Sequence, residues 1–288
     1  MYGIGELTKQ IKHSLDTQVS LARLRRSHTL EDRVAGRTVL ITGASSGIGR
    51  AAAVRIGAAG ATVALVARRE AELREVAAQI ESSGGKAAVY PCDLNDFDAL
   101  DAMTVQVLAD HGGVDILVNN AGRSIRRRLD ESYDRFHDYE RTMRLNYFVP
   151  TRLMLALLPG MRERRDGQVV SVLSLAILFG GAGFSAYIAS KAALDSLTDS
   201  LQVETLTENI RFTTVYMPLV RTPMIAPSSL YQNAVALTPE QGAGAICDAI
   251  IDRPRRISPV RGRIANLLDR VVPERFDVVR SGRFQQGM

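Results

Sequence analysis

Tyr187 and Lys191 stand four residues apart, a spacing that on a helix puts a phenol and an ammonium on one face, one turn apart. A cation held beside a phenol favours phenolate and lowers the tyrosine pKa from about 10. Such a tyrosine can act as acid or base toward a carbonyl oxygen near neutral pH. The apolar run Gln168-Val169-Val170-Ser171-Val172-Leu173-Ser174 ends thirteen residues before Tyr187. It reads as a buried strand whose terminal hydroxyl, on Ser174, can orient that same oxygen. A tyrosine and a lysine at this spacing also fit an ordinary solvated helix face, so the chemistry depends on what surrounds them.

The elements that must position this pair begin at Thr42-Gly43-Ala44-Ser45-Ser46-Gly47-Ile48-Gly49. The apolar stretch Thr38–Ile41 before it predicts a buried parallel strand, and Arg50–Ile56 after it is rich in good helix formers. Strand, glycine turn and helix in that order make a phosphate cradle, because glycines let the backbone approach a pyrophosphate and the helix start offers unpaired N–H groups. Ala61–Ala67 reads as the second strand, reached through a crossover helix at 51–60. At its end stand Arg68 and Arg69, where a dinucleotide fold meets the adenosine ribose, and no carboxylate comes before Glu70. Arginine there suits a 2′-phosphate, so NADP(H) is expected over NAD(H).

Glu70–Ser83 predicts a helix, and Ala87–Tyr90 a third strand that runs into Cys92-Asp93-Leu94. Asp93 is placed either to accept from an adenine amino group or to cap the next turn. Val114–Val118 predicts a fourth strand ending in Asn119-Asn120-Ala121-Gly122, small and amide residues that suit close passage of a ligand. Strands and helices alternate from residue 37 to about 217 without a composition break. The fold class expected is therefore α/β, a doubly wound parallel sheet.

At 288 residues and 46% hydrophobic, the chain can bury a sizeable core, and no apolar run reaches the length of a membrane span. The two cysteines, Cys92 and Cys247, form no metal-type spacing and argue for a reducing, cytoplasmic setting. No metal is expected. The net charge of +5, mostly arginine, points to anionic partners. Nucleic acid is excluded as a partner by the absence of a zinc spacing, a reading helix or an aromatic stacking pattern.

Together these motifs resemble the short-chain dehydrogenase/reductase family: T-G-x-x-x-G-x-G at Thr42–Gly49, N-N-A-G at Asn119–Gly122, Asn146, Ser174 and Y-x-x-x-K at Tyr187–Lys191. The resemblance covers residues 36 to 255. It implies a Rossmann-type sheet of about seven parallel strands and a nicotinamide cofactor. Tyr187 would be the acid/base, with Lys191 holding the nicotinamide ribose and lowering the tyrosine pKa. Ser174 would steady the substrate oxygen, and Asn146 would support a proton-relay water. Cofactor contacts would come from Gly43, Ser45, Ser46, Gly47, Ile48, Gly49, Arg68, Arg69, Asp93, Leu94, Asn120, Ala121, Gly122, Tyr187, Lys191, Pro218, Val220 and Thr222.

The chain departs from the family at Met217-Pro218-Leu219, where Leu219 replaces a usual glycine. The stretches Asn119–Arg127 and Met217–Pro227 are instead similar to bacterial fatty acyl-CoA reductases, which reduce long-chain acyl thioesters to aldehydes with NADPH. That likeness implies a lipophilic carbonyl substrate, an acyl-CoA. Arg123, Arg126, Arg127 and Arg128 are then either contacts for coenzyme A phosphates or a solvated charge run. The segment 223–238 is either a substrate lid or a surface loop, and Thr238-Pro239-Glu240-Gln241 has the pattern of a helix-opening capping box. The alternative enzyme reading is a ketone or aldehyde reductase acting on a 3-oxoacyl or steroid-like substrate. A non-catalytic NADPH sensor would not need the complete tetrad.

Two helical extensions are expected, at 1–35 and 256–288. Ile4, Leu7, Ile11, Leu15 and Val19 make one apolar stripe, and Ile264, Leu267, Leu268, Val271 and Val272 make another that stops before Pro273. Each either packs on its own domain or a sister subunit, or rests on a membrane surface. The family likeness implies a homo-oligomer, a dimer or tetramer.

Overall fold

The computed structural model describes residues 27–226, 231 and 234–285. The N-terminal stripe from Ile4 to Val19 lies outside the described residues, as do 227–230 and 232–233 of the expected lid.

Seven parallel strands form one sheet: β1 (Thr38–Thr42), β2 (Thr62–Ala67), β3 (Lys86–Pro91), β4 (Ile116–Asn119), β5 (Gly167–Ser174), β6 (Ile210–Met217) and β7 (Arg256–Ile257). Their spatial order is β3-β2-β1-β4-β5-β6-β7. Most of these strands are near-continuous Val, Ile, Leu and Ala runs because both faces are covered. Helices α1 (Leu30–Val34), α2 (Gly47–Ala58), α3 (Glu70–Ser82) and α8 (Pro239–Asp252) lie on one side, where Val39, Ile41, Val63 and Leu65 meet Ile56, Leu73, Ile80 and Ile246. On the other side α4 (Phe97–His111), α6 (Val149–Arg164) and α7 (Ser185–Thr205) pack Leu100, Leu153, Met154 and Leu194 on Leu40, Leu117, Val169 and Phe212. A short α5 (Phe136–Met143) precedes α6.

The expected strands are present with their ends shifted by one or two residues. The capping box forms, with the Thr238 hydroxyl accepting from Gln241 N at 3.3 Å. The sheet also runs past residue 255: β7 pairs Arg256 with Thr214 and Ile257 with Val215. Two further helices follow, α9 (Val260–Val271) and α10 (Pro273–Gln285).

Strand order reverses at β1 and β4, so the connections leaving their carboxyl ends run to opposite faces and open a crevice. The predicted chemistry gathers at that crevice.

Candidate active site

The ends of β1 and β4 are sewn together by a few bonds. The Thr42 hydroxyl donates to Val118 O (3.3 Å) and accepts from Asn120 N (3.1 Å) and Ala121 N (3.0 Å). The Asn120 amide donates back to Thr42 O at 2.9 Å. The loop then passes through Gly43 and Gly47, with φ of +68° and +57°, where a side chain would be strained. A Cβ on Gly47 would lie 3.0 Å from Thr222 Cγ2, so the loop needs the bare backbone to fit beside the turn after β6. Ser46 stands at the N-cap of α2 without a side-chain cap. The first N–H groups of α2 therefore suit an anion.

Around this loop runs a cleft of about 940 Å³, near the upper end of the roughly 300–1,000 Å³ usual for small-molecule sites. Its wall contains Gly43, Ser45, Ser46, Gly47 and Ile48 from the loop, Arg68 and Arg69 after β2, and Asp93 and Leu94 after β3. Asn120, Ala121 and Gly122 follow from β4, Ser174 from β5, Tyr187 and Lys191 from α7, and Pro218, Val220 and Thr222 after β6.

Two expected residues stand behind this wall. A Cβ on Gly49 would lie 2.3 Å from Gly43 O and 2.5 Å from Asn120 Nδ2. Gly49 is thus the close-packing glycine of α2 against the loop, and it does not line the cleft. Asn146 is buried in a wide π-type turn, Arg144–Phe148. Its Oδ1 accepts from Arg123 N (2.8 Å), and its Nδ2 donates to Arg123 O and Ser190 Oγ (both 2.9 Å). It staples the chain after β4 to α7. A Cβ on Gly122 would lie 3.2 Å from Asn146 Oδ1 and 3.3 Å from Lys191 Nζ. Asn146 is therefore next to Lys191 although it does not line the cleft.

Lys191 is buried, and its ammonium donates to Val172 O at 2.8 Å. Burial lowers its pKa to about 8. Burial likewise raises the Tyr187 phenol; the Ser174 hydroxyl beside it pulls the other way, and Tyr231 adds to the rise. The sequence reading expected Lys191 to lower the tyrosine. In this arrangement desolvation dominates both groups, and the lysine charge is turned to a backbone carbonyl.

This has a measurable consequence. The folded chain releases the Lys191 proton near pH 8 and the unfolded chain near 10.5. Between those values the unfolded state binds more protons, so stability rises with pH. The urea-unfolding free energy of the natural chain minus that of Lys191→Met should climb by roughly 3 kcal/mol from pH 7.5 to 10.5. A flat difference would show that Lys191 is not desolvated.

The arginines divide by partner. Arg69 donates to Ser45 Oγ at 3.1 Å and to Glu72 Oε1 at 3.0 Å, whereas the Arg68 side chain has neither hydrogen bond nor ion pair among the described residues. Burial opposes the Asp93 carboxylate, but bonds from Asn95 and the charges of Arg68 and Arg123 outweigh it and hold its pKa low. Those Asn95 bonds make Asp93 a turn-former, while Asp96 caps α4. Arg127 donates to Asp138 at 2.7 Å and Arg128 to Asp130 at 3.1 Å. Arg123 and Arg126 remain on the cleft wall. Burial and the like charges of Arg141 and Arg68 lower the Arg123 pKa, which marks a place suited to an anion.

Sequence reading did not single out Phe179, Phe184 or Tyr231, which also line the cleft. Phe184 meets Tyr187 edge-on, with ring centroids 6.5 Å apart. Tyr231 belongs to the loop after β6, whose base is closed by Arg221 N donating to Leu237 O (2.8 Å) and Leu237 N to Leu219 O (2.9 Å). The apolar composition of 223–238 was the available signal for it.

A family profile described as short chain dehydrogenase matches residues 37–232. A fatty acyl-CoA reductase of Acinetobacter baylyi is 50% identical over 250 residues, spanning 87% of this chain and 85% of that one. An uncharacterized oxidoreductase of Mycobacterium tuberculosis is 57% identical over 258 residues, 88% of this chain and 76% of its own. Among solved structures, a metagenomic short-chain oxidoreductase in complex with NADP superposes with a TM-score of 0.66 at 32% identity, covering 77% of this chain and 95% of its own.

Proposed function

The chain belongs to the short-chain dehydrogenase family, and from that membership we propose an NADPH-dependent reductase that converts a long-chain fatty acyl-CoA to the aldehyde. The observation that carries this reading is a single cleft wall holding a glycine-rich phosphate loop, an Arg68 with no hydrogen bond or ion pair among the described residues, and the Ser174–Tyr187–Lys191 set. The loop suits a pyrophosphate because no side chain fits at Gly43 or Gly47. Arg68 would receive the 2′-phosphate, and Lys191 and Tyr187 the nicotinamide ribose. When bound, NADPH supplies the hydride.

The chain's own groups do the rest. Ser174 orients the carbonyl oxygen, and Tyr187 gives it a hydrogen bond and then a proton as negative charge develops there. A phenol whose pKa is raised by burial is protonated at neutral pH, the form that reduction needs. Asn146 fixes the Arg123 backbone and the Ser190 region of α7, and so the position of Lys191. With a thioester the product of that step is a hemithioacetal: its hydroxyl returns the proton to the Tyr187 phenolate as the carbonyl re-forms, the carbon–sulfur bond breaks and coenzyme A leaves as the thiolate. Arg123 and Arg126 are the arginines free to meet coenzyme A phosphates, since Arg127 and Arg128 already hold carboxylates.

The test follows NADPH oxidation with palmitoyl-CoA, a long-chain aldehyde and a simple ketone in parallel. Thioester-dependent oxidation with stoichiometric free thiol supports the reading. Activity confined to the aldehyde or ketone would leave the tetrad in place and remove coenzyme A from the account. For the cofactor, Arg68→Glu should reduce the preference for NADPH over NADH by roughly tenfold to a hundredfold, as expected when one charge-assisted contact becomes a repulsion. An unchanged ratio of kcat/KM values would show that Arg68 does not read the phosphate.

A further inference from the structure

Helix α9 is amphipathic the wrong way round for a surface helix. Gly262 is buried and Asn266 and Asp269 are half-buried, so the small and polar positions face the protein. Val260, Ile264, Leu267, Leu268 and Val271 face away from it, with Ile264 55%, Leu267 64% and Val271 70% exposed. Their spacing of four, three, one and three residues makes one continuous stripe. An ordinary surface helix turns such a stripe to the core, and an outward stripe marks an interaction surface.

Its position is fixed by two contacts. Gly262 lies against Leu175 and Phe179, where a Cβ would come 2.8 Å from Leu175 Cδ1 and 3.7 Å from Phe179 Cζ. Both of those residues line the active-site cleft. Asp269 binds Arg280 of α10 at 2.6 Å, which ties the two helices together. The stripe therefore stands beside the cleft, held there by a pair of helices.

Charge identifies the occupant. Residues 260–285, the α9–α10 pair, hold six arginines against three acids, whereas Arg253, Arg255 and Arg256 just before them are paired to Asp166 and Asp199. A second copy of the chain would bring the same positive charge to the stripe. Residues 1–26 carry five basic residues against two acidic ones, and would also be repelled. An apolar face on an arginine-rich segment fits an anionic bilayer, whose headgroups attract arginine and whose acyl boundary accepts the apolar side chains. Nucleic acid would meet the charge but leave the stripe in water.

We propose that the α9–α10 pair docks this chain on an anionic lipid surface, with the stripe from Val260 to Val271 in the acyl boundary and the cleft held next to the membrane. A lipophilic substrate would then pass between bilayer and cleft without crossing bulk water. The docking does not depend on the acyl-CoA reading, because its test is binding to lipid.

The experiment is flotation of the full chain with vesicles of phosphatidylcholine alone and of phosphatidylcholine with phosphatidylglycerol. The natural chain should float with the anionic vesicles, and less so as salt is added. Ile264→Asp with Leu268→Asp should abolish flotation; both positions are exposed, so the fold is retained. Arg275→Glu should weaken binding by roughly tenfold. Turnover of a short, water-soluble aldehyde should be unchanged in both variants. A natural chain that stays soluble with anionic vesicles would overturn the proposal, as would variants that float equally well. A drop from dimer to monomer in the Ile264 variant, without any vesicle binding, would assign the stripe to a second copy and overturn it too.

Discussion

Tyr187→Phe should lower turnover by about three orders of magnitude, within the range for loss of a positioned proton donor, while NADPH affinity stays nearly unchanged. Phenylalanine keeps the ring that meets Phe184 edge-on and removes only the hydroxyl. The phosphate loop, Arg68 and Lys191 are untouched, and Lys191 keeps its bond to Val172 O. Single-turnover kinetics and a calorimetric NADPH titration separate the two effects. Loss of both binding and turnover would point to a structural role for the hydroxyl. Retained turnover would remove Tyr187 as the proton donor.

Gly49→Ala is the second large effect, and here the cost is in the fold. The added methyl would lie 2.3 Å from Gly43 O and 2.5 Å from Asn120 Nδ2. The nearest of these is backbone, and the amide is held by its bond to Thr42 O, so α2 or the phosphate loop must move. A loss of about 3 kcal/mol in unfolding free energy is expected, together with at least a tenfold weaker affinity for NADPH. Gly84→Ala is the control: its φ is +80° but nothing lies within 4 Å of the new carbon. It should cost only about 1–2 kcal/mol and leave NADPH binding alone. Equal effects on binding from both substitutions would contradict the packing argument.

Much of the site was legible because its parts are local. The glycine spacing, the strand-end arginines and the tyrosine–lysine pair each sit within a few residues, and strand ends in a parallel sheet bring them together. What was not legible depended on distant neighbours. The direction of the Tyr187 shift comes from burial, with Phe184 against its ring and Tyr231 adding to the rise, neighbours that no spacing announces. The arginine run 123, 126, 127 and 128 looked uniform, but Asp138 on α5 takes Arg127 and Asp130 takes Arg128. Gly49 carried the family's pattern without showing which glycine faces a ligand and which faces a carbonyl. The C-terminal stripe was plain from its period; that it points outward follows from Gly262 leaning on Leu175 and Phe179.

Hydride transfer from NADPH to a carbonyl carbon in this cleft is the step on which the proposed function stands. The most direct measurement supplies NADPH deuterated at one face of C4, with palmitoyl-CoA, and reads the mass of the aldehyde. One deuterium is expected at the aldehyde carbon from one face and none from the other, with labelled aldehyde formed about a thousandfold more slowly by Tyr187→Phe. Aldehyde formed without label from either face, or label still delivered at the natural rate by Tyr187→Phe, would contradict the proposed function.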